Sequence, residues 1–171
     1  MLTAQFAEEG NLHTISDLTV DKEEGFLLGR LSTSEFEHYI HELHEKLRIP
    51  ASRDGIFREL DVYFGPSRPQ NSEGAFAFTD EFGYHYAFSE KGKVRIHKVS
   101  DDIFDASYWI LSDQVFNMAL EYAKYHQIPG RDFRRVLFAK ELELFKSLGP
   151  NYVKRAEIAI DEILKREPYR D

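Results

Sequence analysis

The hydrophobic period of this chain changes at Ser100, and that change decides its fold class. Before it, the stretches LDVYF, FAF, YHYAF and VRI place large side chains at every second residue: Leu60, Val62 and Phe64; Phe76 and Phe78; Tyr84, Tyr86 and Phe88; Val94 and Ile96. Alternation of this kind belongs to strands whose two faces meet different surroundings. GPSRPQNSEG reads as a long loop, and residues 80–83 and 90–93 read as hairpin turns. The segment is expected to form an antiparallel meander of three to four strands with one buried aromatic face. The opposite face would then carry Ala75, Ala77, His85, Ala87, Arg95 and His97, a set that suits solvent or a partner.

From Ser100 onward the pattern is helical. Ser100-Asp101-Asp102 supplies a cap, with acids at the positive end of the helix dipole. The first helix should run to about Gln127 and be buried on two sides. Phe104, Tyr108, Leu111, Val115, Met118, Ala119 and Tyr122 form one stripe; Trp109, Phe116 and Leu120 form a second. Pro129-Gly130 breaks it, Asp132 caps a second helix to Leu148, and Gly149-Pro150 precedes a third from Asn151 to Lys165. Strands followed by helices predict an α+β fold: the meander packs against C-terminal helices, with one further helix N-terminal to it.

That N-terminal helix, over 33–48, contains HYIHELHE, which looks like the zinc-protease signature HExxH with a residue missing. In the true signature the histidines are four apart, so they converge on one ion. Here the gap is three. Phe36, Tyr39, Ile40, Leu43 and Leu47 fall within roughly 60° of one direction, while His38, His41 and His44 lie roughly 80 to 200° away among Glu37, Glu42 and Glu45. A solvated polar face accounts for the histidines without a metal. Thr33 or Ser34 would cap the helix with an incomplete capping box, and Leu47 to Pro50 would end it. PASRDG then reads as a loop. Residues 1–32 are the least legible part: TAQFA and LHTIS are candidates for a hairpin, and KEEGFLLGRL for a strand or an extended lead-in.

At 171 residues the chain suits one domain, 1–171, with one filled core. It has no cysteine, no apolar run long enough for a membrane span and no secretory leader pattern, so a cytoplasmic protein is expected. The net charge is −8, and the first fifty residues hold four Lys/Arg against ten Asp/Glu. Such a surface disfavours nucleic acid and steers a basic partner inward. GxSxG, GxxxxGK[ST] and GxGxxG are all absent, which leaves no catalytic residue and no cofactor to nominate. PGRDFRR places Arg131, Arg134 and Arg135 at a helix start, where an anion site is conceivable. The plainer role is an ion pair from one of them to Asp113 or Glu121 on the preceding helix.

SYWILSDQVFNMALEY, HQIPGRDFRRVLFAKELELFKSLG and EILKREPYRD together resemble the immunity protein 63 family of bacterial polymorphic toxin systems. The likeness runs over roughly residues 58–171. Its motif positions are Tyr108, Trp109, Phe116, Tyr122, Asp132, Arg134 and Arg135, all of which fold stability alone would also favour. The resemblance implies a protein that binds and neutralises a cognate toxin domain, acting as monomer or homodimer without nucleic acid or membrane. The charge adds that the toxin would be a basic effector such as a nuclease, blocked at its active site or substrate path. Candidate contacts are Glu23, Glu24, Glu37, Glu42 and Glu45, with Asp80 and Glu81 at a hairpin tip. The competing readings are an acidic regulatory or scaffold module and an enzyme holding an anion through the three arginines.

Overall fold

The computed structural model describes residues 29–69 and 72–170. Glu23, Glu24 and the suggested hairpin near the N-terminus lie outside the described residues. Eight elements follow in order: α1 (Thr33–Arg53), β1 (Val62–Phe64), β2 (Gly74–Asp80), β3 (Gly83–Glu90), β4 (Lys93–Ser100), α2 (Ile103–Tyr125), α3 (Arg134–Lys146) and α4 (Pro150–Arg166). The strands form one sheet in the order β1-β2-β3-β4, giving the expected α+β architecture. Among the described residues no helix is long and apolar enough to cross a membrane.

Both ends of α1 depart from the sequence reading. Ser32, one residue earlier than expected, is the cap: its hydroxyl accepts from the Glu35 N–H while the Glu35 carboxylate accepts from the Ser32 N–H, a complete capping box. Pro50 does not end the helix, which continues to Arg53 with Ala51 fully buried. Termination falls to Gly55, whose φ of 68° is the left-handed conformation that glycine adopts without strain. The Gly55 N–H reaches the Ser52 carbonyl and the Ile56 N–H the Ala51 carbonyl, a full Schellman motif. It turns the chain back along α1.

Sheet register overturns the expected division of faces. Asp80 pairs with Gly83 across a two-residue loop, so Phe78 lies opposite His85 and Ala77 opposite Tyr86. Even-numbered residues of β2 therefore share a face with odd-numbered residues of β3. Ala77, Tyr84 and Tyr86 pack with Phe36, Ile40, Ala106 and Ile110 of the helices, joined by Val62, Phe64 and Ala75. Phe76, Phe78, His85, Ala87 and His97 share the other face. Strand β1 also differs from a simple meander, because it pairs parallel to β2. The intervening loop carries the chain back past the end of the sheet, as a parallel connection requires.

Helix α2 separates two cores. On one side Leu111, Val115, Met118 and Ala119 pack against α3, α4 and the C-terminal half of α1. On the other, Ala106 and Ile110 meet the sheet, with Trp109 partly covered. The expected second stripe is thus shifted, and Phe116 is 42% exposed.

Candidate functional site

A cleft of about 760 Å³ opens between α2, one end of the sheet at Gly74, Ala75, Tyr86 and Phe88, and the segment that the Schellman turn sends back along α1. Phe57 anchors that returning segment, with its ring 5.2 Å from the His44 ring and beneath the Arg48 guanidinium at 4.2 Å. The cleft is lined by four carboxylates, Glu59, Asp61, Asp113 and Glu121, against two cations, Arg58 and Lys124, so its lining is net negative. Phe88 and the exposed Phe116 supply apolar surface. At its floor the Tyr86 hydroxyl donates to the Asp113 carboxylate. Burial and this bond raise the Tyr86 pKa, so the phenol remains a neutral donor. Glu121 is held below the usual carboxylate range by its hydrogen bond from Lys124, and Arg58 adds to this. Asp113 and Glu121 are held in place by these bonds, and a patch of oriented carboxylates steers a cation.

The contacts expected from sequence fall elsewhere. Glu37, Glu42 and Glu45 lie along the solvent side of α1, but Glu42 faces His38 at 3.3 Å and Glu37 faces His41 at 4.0 Å. Glu45 takes a two-pronged bond from Arg48 at 2.7 Å. Each of these acids faces a histidine or arginine of the same helix. His44 does not belong to it: the residue is 2% exposed, and its Nε2 has no hydrogen-bond partner. Burial lowers its pKa. The wheel placed His44 on the solvated face with His38 and His41; the returning Phe57 covers it there.

At the β2–β3 tip, Asp80 turns inward. Burial opposes its charge, but bonds from the Phe82 N–H at 2.8 Å and from His85 Nε2 at 2.7 Å outweigh this and lower its pKa. His85 continues the chain through Nδ1 to His97 Nε2 at 2.9 Å, and Phe78 stacks on its ring at 4.2 Å. With Asp80 accepting at Nε2, a neutral His85 accepts at Nδ1 from the His97 N–H. Glu81 and Phe82 project instead, and Phe82 is 70% exposed. Among the described residues no group of three or more His, Asp or Glu side chains is arranged to hold a metal ion.

Arg134 has a different partner from the one expected. Asp132 accepts from its backbone N–H at 2.9 Å and from its guanidinium at 2.6 Å, while the other prongs reach the Glu167 and Pro168 carbonyls at 2.8 and 2.9 Å. Asp132 also accepts the Arg170 N–H. Its pKa is strongly lowered, first by Arg134. Arg135 lies over the Tyr169 ring at 4.1 Å. This motif pins the C-terminal segment to the start of α3; Asp113 and Glu121 belong to the cleft. Tyr108 stacks near Phe145 at 5.7 Å and Tyr122 on His126 at 3.8 Å, and Lys98 stands over Trp109 at 5.5 Å. Sequence reasoning missed the cleft because its residues come from segments more than fifty positions apart; the one local hint was the apolar Phe116 set among polar Asp113, Gln114 and Asn117.

No curated protein and no solved structure matches this chain. One family model, described as Immunity protein 63, matches residues 80–162, a narrower span than the resemblance read from sequence and one that stops short of the terminal PYRD. The matched span holds β3, β4, α2, α3 and the α2 wall of the cleft, and over residues 80–162 this chain is similar to the immunity protein 63 family.

Proposed function

We propose that this protein protects its cell by binding a cognate toxin, with the cleft beside Phe116 as the contact surface. Similarity to the immunity protein 63 family over residues 80–162 supports a toxin-neutralising role. The observation that carries the placement is the conjunction of four carboxylates with an exposed aromatic ring in one concave site. Interfaces draw most of their energy from a few aromatic anchors, while charge sets encounter rate and partner choice. Phe116 supplies the anchor, and Glu59, Asp61, Asp113 and Glu121 attract a basic effector of the nuclease kind. Neutralisation proceeds by occlusion, in the cytoplasm, with no bond made or broken in the toxin.

The test is co-expression with the toxin domain encoded beside it. Growth is rescued and the two proteins co-purify if the reading is right. A neighbouring toxin that kills despite the full chain, with no complex formed, defeats it and favours an acidic module that serves another partner.

A further inference from the structure

We infer that the free edge of β4 takes up an extended, acidic segment of a partner protein by strand addition. The inference goes beyond the toxin-binding reading and does not depend on it. Strand β4 ends the sheet order and pairs only with β3 among the described residues. Alternate residues along such an edge direct N–H and C=O groups outward, a ready ladder for another strand. Every residue from Lys93 to Val99 is exposed, including Val94 at 57% and Ile96 and Val99 at 44% each. Edges protected against pairing are short, bulged or interrupted by proline; this one is eight residues long and has no proline, its register shifts at Arg95, and Ile96–Ser100 beyond that shift pair regularly with β3 and keep an unbroken outer edge.

Charge selects the occupant. Residues 91–98 hold Lys91, Lys93, Arg95 and Lys98 and no acid, in a chain whose net charge is −8. Lysines alone are a common edge defence, but that defence works with either sign, and a uniformly positive strand runs against the composition here. Arg95 meets Glu90 at 3.5 Å and Lys98 lies over Trp109, which among the described residues leaves the Lys91 and Lys93 ammonium groups for a newcomer. A second copy is disfavoured, because antiparallel self-pairing would set cations against cations. An extended segment with Asp or Glu at alternate positions answers both the ladder and the charge.

The full chain is titrated with a ten-residue peptide alternating Glu with Val or Thr, read by fluorescence anisotropy and amide hydrogen exchange. The expected result is protection of amides in residues 93–99, lost when alternate peptide nitrogens are methylated. Binding should weaken about tenfold in Lys91→Glu/Lys93→Glu, whose far-UV spectrum reports that the fold is kept. No added protection in β4, or equal binding of a Lys-for-Glu peptide, overturns the inference. No toxin is present, so this result and the co-expression result stand or fall separately.

Discussion

The helical layer and the cleft contain the same kinds of charged residue and use them in opposite ways. In the helical layer the charges are spent inside the molecule. Arg134 is shared among Asp132 and two tail carbonyls, while Lys140, 2% exposed, bridges Asp54 and Glu143 and covers the Tyr122 ring. Around the cleft, Asp61 faces outward and Glu59, its side chain 84% exposed, reaches Arg48 only at 3.9 Å, beside an aromatic ring with no core to fill. The lesson is that residue type does not mark a recognition surface; charge and apolar area left over after the fold is satisfied do. Arg134 and Arg135, two of the arginines that looked most like a ligand site in sequence, brace the C-terminal segment.

Substitutions should divide along that line. The largest effect belongs to Lys140→Ala, which removes the buried cation of the α1–α3 junction and leaves Asp54 and Glu143 to Arg53 alone, and should cost on the order of 3 kcal/mol in denaturant unfolding. An unchanged midpoint would remove the brace from the account. Glu141 gives the opposite sign. Burial pushes its carboxyl up to about 7. With the folded value above the unfolded one, the native state binds the extra proton, so stability is greatest below the unfolded pKa and falls as pH rises toward 7. Glu141→Gln should therefore stabilise by on the order of 2 kcal/mol at pH 8 and change little at pH 4. His44→Leu, which removes a buried nitrogen without a partner, should add about 1 kcal/mol. At the cleft, Glu59→Gln and Asp61→Gln should each shift stability by less than about 0.5 kcal/mol, since exposed carboxylates contribute little to the fold. A large loss there would erase the contrast.

How much of this was legible in sequence follows from what each feature depends on. The elements were, because period and caps are local: Asp102 does accept the Phe104 N–H, and Pro150 does open α4 after Gly149. The faces of the sheet were not. Whether Phe78 sides with Tyr84 or with His85 turns on a single step of register across the Asp80–Gly83 pairing, which alternation alone leaves open. Gly83 shows what holds that step: a Cβ there would stand 2.6 Å from the Ser100 carbonyl oxygen. The end of α1 was misread because proline is the louder signal, whereas the Gly55 turn needed the buried Ile56 to complete it. The misreading of His44 has the same root, since the wheel shows a helix face but not the segment that returns to cover it.

Isothermal titration of the neighbouring toxin domain into three proteins tests the central claim most directly: the native chain, Glu59→Gln/Asp61→Gln/Phe116→Ala, and Glu37→Gln/Glu42→Gln. The account predicts that the cleft variant binds about a hundredfold more weakly, while the α1 variant stays within about threefold of the native chain. A cleft variant that binds like the native chain, beside an α1 variant that does not, would contradict it.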